Sequence, residues 1–335
     1  MTRLPLTTLD AVTALSFPAF DETAAEGARA RQAQLTKPPG SLGRLEELAA
    51  FMAGWRGTDR PRIVRAQALV FAGNHGICAR GVNPFPQEVT AQMVANFAAG
   101  GAAINQLCAA AGADLKVIAL DLDQPTRDFT AAAAMDEAEC IEALQRGAEA
   151  VDAGADVLLL GEMGIGNSTV AAALAFAAFG GTAQDWVGPG TGSDAAGVDL
   201  KARVVAEGVD RHGALSPMMR LAALGGREQA ALCGAVLAAR MARIPVLLDG
   251  FICTAAVTPL YAADPDLLAH CLIAHESREP GHRRLAEAMG KPPLLDMGMA
   301  LGEGSGAALA LPILRGALAC HNGMATFAEA GISGA

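Results

Sequence analysis

Two glutamates sit in glycine-rich surroundings that suit a carboxylate to proton transfer: Glu162 in Gly161-Glu-Met-Gly-Ile-Gly-Asn-Ser-Thr and Glu303 in Leu301-Gly-Glu-Gly-Ser-Gly-Ala. Glycine and apolar neighbours raise a carboxyl pKa towards the range useful to a general base. Taken singly, either glutamate reads as a residue on a mobile loop tip; two in such loops shift the reading towards catalysis. Gly161 to Ser168 also runs close to the phosphate loop GxxxxGK[ST], with Asn167 where the lysine belongs. Without that lysine nothing meets the β- and γ-phosphates of a nucleoside triphosphate, which argues against an NTPase. What remains is a turn carrying Gly164 and Gly166, with Asn167 and Ser168 at a helix start. Such a turn is either a simple cap or a cradle for one phosphate. A further loop, Gly188-Pro-Gly-Thr-Gly with Gly190 at its centre, lets backbone amides approach a ligand closely. Lys201, which follows it, is either a solvated lysine or the compact positive charge a monophosphate needs.

Other chemistries lack their patterns. Neither Gly-rich loop is the GxGxxG fingerprint opening a helix after the first strand, so a dinucleotide site is not indicated. His75, His270, His275, His282 and His321 show neither HxxxH nor HExxH spacing, and no metal site is expected. GxSxG is absent, which weighs against a nucleophile-elbow hydrolase. Seven cysteines, odd in number and without a CxxC pair, read as buried free thiols of a reducing, cytoplasmic compartment. The start, Met1-Thr-Arg-Leu-Pro-Leu, has no basic head and apolar run of a signal peptide. Lys and Arg number 25 against 35 Asp and Glu, a net charge of -10, so neither nucleic acid nor an anionic membrane is an expected partner. The stretch from Gly164 to Gln184 is uncharged but carries Gly, Asn, Ser, Thr and Gln, and reads as a buried helix rather than a membrane span.

These loops need a scaffold that presents them together. Five short apolar runs are the length of single strands: Ala66 to Ala72, Leu115 to Leu120, Asp156 to Leu160, Pro245 to Asp249 and Cys271 to His275. Longer alanine-rich segments between them predict crossover helices, hence an α/β fold: a Rossmann-like, doubly wound, mostly parallel sheet. Aromatics are only 4% of the chain, so the core must be packed with small aliphatics. Ahead of the sheet, Ala11 to Leu15, Ala24 to Leu35 and Leu42 to Trp55 have helical spacing, broken at Lys37-Pro-Pro-Gly. The tail from Gly306 to Phe327 reads as helix interrupted at Pro312 and Gly316. We expect residues 1–60 and 307–335 to form a smaller helical domain beside a large α/β catalytic domain over 61–306. Ligands of such sheets bind beyond the carboxyl ends of the strands, where the glycine-rich loops fall.

Several motifs together resemble one family. They are Lys37-Pro-Pro-Gly-Ser-Leu-Gly-Arg-Leu-Glu, Gly73-Asn-His-Gly with Gly81-Val-Asn-Pro-Phe-Pro-Gln-Glu-Val-Thr, the Glu162 loop, Val187-Gly-Pro-Gly-Thr-Gly, Leu224-Gly-Gly-Arg-Glu, Leu248-Asp-Gly-Phe, Glu279-Pro-Gly-His and the Glu303 loop. In this order, from about residue 37 onward, they are similar to the nicotinate-nucleotide:dimethylbenzimidazole phosphoribosyltransferases. The resemblance implies transfer of phosphoribose from nicotinate mononucleotide to 5,6-dimethylbenzimidazole, giving α-ribazole 5′-phosphate and nicotinate for the cobalamin nucleotide loop. It also implies a homodimer and no cofactor. Glu303 matches the general base and Glu162 a second acidic residue of the site. Gly164, Gly166, Asn167, Ser168, Gly190, Lys201 and Ser277 match the phosphate and ribose side. Asn83, Gln92, Met163 and Leu301 match the base pocket. Asn83 stands where serine is expected and Ala300 where some members carry a bulkier or charged residue, and both bear on base selectivity. The implied chemistry needs no metal, because nicotinate leaves a ribosyl pyridinium as a neutral ring nitrogen. A non-catalytic nucleotide sensor would keep the phosphate cradle without needing Glu303 or Glu162, and a dinucleotide-dependent oxidoreductase would need the missing fingerprint.

Overall fold

The protein is described here from a computed structural model, which covers residues 3–333; Met1 and Thr2 of the N-terminal segment and the last two residues of 307–335 lie outside the described residues. All five expected strands form: β1 (Ala66–Ala72), β2 (Asp114–Ala119), β3 (Val157–Met163), β4 (Val246–Leu248) and β5 (Cys271–Ile273). They pair in parallel in the order β2-β1-β3-β4-β5, so the winding direction reverses between β1 and β3. The register sets Phe71 of β1 beside Glu162 of β3, which carries the glutamate to the carboxyl edge of the sheet.

The helices follow from the alternation read in the sequence. Before the sheet come α1 (Glu22–Gln32) and α2 (Arg44–Arg56). Between β1 and β2 lie α3 (Val89–Ala98) and α4 (Ala103–Ala111), and α5 (Glu137–Ala150) leads into β3. Between β3 and β4 run α6 (Asn167–Phe179), α7 (Ala195–His212), α8 (Pro217–Leu224) and α9 (Arg227–Met241). Two short helices, α10 (Phe251–Ala256) and α11 (Thr258–Ala263), precede β5, and α12 (Pro280–Ala288), α13 (Ser305–Gly323) and α14 (Phe327–Ala330) follow it.

Both faces of the sheet are covered, as period-two alternation requires of strands that are apolar throughout. Leu69 and Phe71 of β1 join one buried cluster with residues of α5, α6 and α9. Ala68 and Val70 join the other with Leu48 and Met52 of α2 and Leu311 and Leu314 of α13. The helices from the two ends of the chain thus meet on one face, where Arg31 Nε donates to the His321 carbonyl and Leu35 bridges Thr326. On the other face α5 and α9 touch backbone to backbone, because a Cβ at Gly147 would collide with the Ala231 carbonyl and one at Gly234 with that of Leu144. Small residues there let a core poor in aromatics close without voids.

One local expectation fails. α13 runs unbroken through Pro312 and Gly316 rather than stopping at them. A proline removes one backbone bond and crowds the preceding turn, but the fully buried Leu311 and Leu314 pin the helix to the sheet on both sides of it. Among the described residues no helix is long and apolar enough to cross a membrane. All seven cysteines are free; five are buried, while Cys78 and Cys320 are only half-buried.

Candidate active site

At the carboxyl edge of β3, β4 and β5 lies a cleft of about 770 Å³. The ends of β3 and α6 contribute Glu162 to Ser168, the end of β4 contributes Asp249 and Gly250, and the segment after β5 contributes His275, Ser277 and Glu279. Ala300, Leu301 and Gly302 close one wall, and Asn83, Gly190 and Lys201 reach in from outside the strand ends.

One end of the cleft is cationic. Lys201, in the second turn of α7, is only 3% exposed. Its Nζ makes three long contacts, to Ser168 Oγ at 3.4 Å and to the carbonyls of Gly188 at 3.3 Å and Pro189 at 3.4 Å. Burial lowers its pKa and the Glu279 carboxylate opposes that shift. The ammonium is therefore sequestered but loosely held. Beside it α6 begins at Gly166, whose φ of 89° is the left-handed geometry that glycine adopts freely. An α-helix N-terminus next to a buried ammonium favours a phosphate. Glu279 Oε1 accepts from the Gly190 amide at 2.9 Å and so fixes the glycine loop; burial raises this carboxyl's pKa, with Lys201 pulling it down. The Ser277 amide donates to His282 Nδ1 at 2.8 Å, and its hydroxyl accepts from the Glu279 amide at 3.3 Å.

The other end is a buried cluster of acids. Burial pushes the Glu162 carboxyl up to about 8, helped by the charges of Asp249, Glu228 and Glu303, while a hydrogen bond from Asn167 Nδ2 acts against them. Beneath it Glu228 pairs with His75 at 3.0 Å, both fully buried. Glu303 follows the cleft wall formed by Leu301 and Gly302 and is 6% exposed. Its φ is 63°, between Gly302 at 83° and Gly304 at 86°, so three successive residues are left-handed. Burial raises its pKa; the Ile104 amide at the start of α4 lowers it and Asp249 raises it. Its Oε2 is buried without a hydrogen-bond partner among the described residues. Asp249, at the end of β4, accepts from the amides of Gly304 at 3.1 Å, Gly306 at 2.7 Å and Ala307 at 3.0 Å. His275 Nε2 lies 3.6 Å from its Oδ1. Burial pushes the Asp249 carboxyl up, against His275 and the three amides.

The fold brings nearly all the expected residues to one place. Glu162, Met163, Gly164, Gly166, Asn167, Ser168, Gly190, Lys201, Ser277, Asn83 and Leu301 line the cleft, and Glu303 stands directly behind its wall. Gln92 does not join them: α3 carries it to an exposed position outside the lining. Asn167 lines the cleft at the start of α6, and its Nδ2 donates one hydrogen bond to Glu162. Asp249, His275 and Glu279 escaped the residue-by-residue reading. The signal for the first was an acid ending an apolar run before Gly250-Phe251; that for the last was the Glu279-Pro-Gly-His motif. Among the described residues no group of three or more His, Cys, Asp or Glu is placed to hold a metal ion.

Comparison with known proteins agrees with this geometry. Residues 17–332 match the model of a phosphoribosyltransferase family. The chain is 66% identical over 316 residues to the nicotinate-nucleotide–dimethylbenzimidazole phosphoribosyltransferase of Rhodobacter capsulatus, covering 94% of this chain and 95% of that one. It is 58% identical over 333 residues to the enzyme of the same name from Novosphingobium aromaticivorans, covering 99% and 95%. The crystal structure of the nicotinate-nucleotide–dimethylbenzimidazole phosphoribosyltransferase from Thermus thermophilus superposes with a TM-score of 0.88 at 40% identity, over 94% of this chain and all of that one.

Proposed function

The chain belongs to the nicotinate-nucleotide–dimethylbenzimidazole phosphoribosyltransferase family, and from that premise we propose how its two-ended cleft carries the reaction. The enzyme transfers phosphoribose from nicotinate mononucleotide to 5,6-dimethylbenzimidazole, releasing nicotinate and forming α-ribazole 5′-phosphate for the lower ligand of cobalamin. The observation that carries the assignment of roles is the placement of one buried ammonium and the buried Glu162 in a single cleft, with the buried Glu303 directly behind its wall. Lys201, the start of α6 and the Gly190 and Ser277 loops hold the phosphate and ribose. Met163 and Leu301, with Asn83 at the edge, offer a flat base a mostly apolar wall.

In the transfer one nitrogen of the benzimidazole forms a bond to the anomeric carbon as the bond to the nicotinate nitrogen breaks, with inversion. The pyridinium takes both electrons of that bond and leaves neutral, so no acid is needed to expel it. The other benzimidazole nitrogen loses its proton to Glu303. Glu303 and Glu162 divide the work by environment. Burial and its acidic neighbours push the Glu162 pKa up to about 8, which favours its protonated form at neutral pH and makes Glu303 the better proton acceptor. Glu303, with an amide donor from Ile104, is the group free to accept.

The direct test is incubation with nicotinate mononucleotide and dimethylbenzimidazole in the presence of a chelator. Free nicotinate and α-ribazole phosphate should appear in equal amounts; release of neither would overturn the reading. The family also supports a homodimer, for which two-fold closure is the commonest symmetry; a sedimenting species of 34.0 kDa at working concentrations would refute it. A set of free thiols and substrates of intermediary metabolism support a cytoplasmic enzyme.

A further inference from the structure

We infer that Asp249 is the positioning residue of the Glu303 carboxylate, latching the left-handed turn that carries it to the carboxyl end of β4. α13 starts at Gly304 with no side-chain cap from its own sequence. The first amides of a helix need acceptors, and here they come from a residue more than fifty positions away. Asp249 Oδ1 takes Gly306 and Ala307, and Oδ2 takes Gly304, all within 3.1 Å. Every one of these neighbours is a donor, which favours the ionised carboxylate against the burial that pushes its pKa up. Glu303 precedes this anchor by one bond and holds φ at 63°. A non-glycine residue in that region costs about 1–3 kcal/mol and persists only where its surroundings over-determine it. The three amide bonds supply that constraint from the α13 side, and the Ile104 amide and the Gly161 backbone meet the loop from the other.

Asp249 also acts on Glu303 through space. The groups facing Glu303 are Asp249 from β4, Glu162 from β3 and the Ile104 amide from α4, with His275 behind Asp249 and Glu228 behind Glu162. Removing the Asp249 charge takes away a like neighbour, so the Glu303 pKa must fall as its position loosens. The shift of that pKa reports the lost charge, and the loss of kcat at pH values above it reports the lost position.

The inference rests on Glu303 being the base, and the experiment separates the two. Asp249→Asn keeps the shape but turns an amino group towards amide donors. In the full-length enzyme we expect kcat at neutral pH to fall about 10- to 100-fold, the loss from a misplaced catalytic group. The acid limb of the kcat profile should move to lower pH, and KM for nicotinate mononucleotide should change less than about threefold. In a Glu303→Gln background the same substitution should cost little further kcat, because its effect passes through Glu303. If Asp249→Asn does not accumulate folded, Asp249→Ser retains one capping oxygen and should show the same shift of the acid limb. A folded variant of either kind with near-normal kcat and an unmoved acid limb overturns the inference, whereas normal turnover in Glu303→Gln alone would overturn the assignment of the base.

Discussion

At one end of the cleft the Lys201 ammonium is held only by long contacts, although Glu279 fixes the Gly190 loop beside it at 2.9 Å; at the other end the turn that carries Glu303 is held by short bonds to Asp249. Lys201 touches Gly188 and Pro189, 13 and 12 positions back, at 3.3 and 3.4 Å. Asp249 fastens amides 55 to 58 positions ahead of it at 2.7 to 3.1 Å. The difference matches what each end must do. A phosphate brings its own charge and can settle among adaptable donors, so a sequestered ammonium with spare hydrogen-bonding capacity is an asset. Proton abstraction tolerates little misplacement, and the turn that holds the proposed base, Glu303, is braced from both sides.

The largest effect that would break this comparison is expected at Glu303. Glu303→Gln preserves shape but cannot accept a proton, and kcat should fall by about 10²–10⁴-fold with nucleotide affinity little changed. Turnover within about threefold of wild type in an equally stable variant would end the claim that this end does the chemistry. The next effect lies at the other end. Lys201→Ala removes a charge-assisted bond of about 1.5–3 kcal/mol, so KM for nicotinate mononucleotide should rise by one to two decades. KM for dimethylbenzimidazole should stay nearly constant; equal effects on both substrates would remove the lysine from the phosphate.

A further effect, read in stability rather than in turnover, sharpens the contrast. Glu162 titrates at about 8 when folded and near the ordinary 4.5 when unfolded. The folded state therefore holds an extra proton between those values. Its contribution is complete below the unfolded pKa and is lost as pH rises through the folded one. Glu162→Gln has no such loss. Its stability relative to wild type should grow with pH across that window, at up to about 1.4 kcal/mol per pH unit. Denaturant unfolding at about pH 5 and about pH 8 reads this directly, and parallel curves for the two proteins would show that Glu162 is already ionised.

The same division explains what could be read from the chain. The five strands were legible because each is an apolar run of strand length ending in glycine, acid or histidine. The phosphate end was legible because its glycines and Lys201 lie close together in sequence. The Asp249 latch was not, since nothing local distinguishes an acid that ends a strand from one that caps a helix fifty residues later. Gln92, assigned to the base pocket by resemblance alone, lies exposed on α3 outside the cleft lining, because a motif's place in the chain does not say which way a helix points a side chain. Pro312 looked like a helix break because its local cost is plain, while the burial of Leu311 and Leu314 that overrides it depends on the whole sheet. Asn167 was read for its position in the turn, and only the register of β3 reveals that Glu162 claims its amide.

The left-handed run through Gly302, Glu303 and Gly304 also sets a limit on how this protein can be improved. At residue 303 the residue best for the backbone is glycine, and the residue needed for turnover is the one that strains it. Selection for thermal robustness alone would favour Glu303→Gly, which relaxes the turn and deletes a buried carboxylate whose Oε2 has no partner among the described residues. That variant should melt higher than wild type while losing at least the turnover expected of Glu303→Gln, so a stability screen run without an activity assay would collect it as a success.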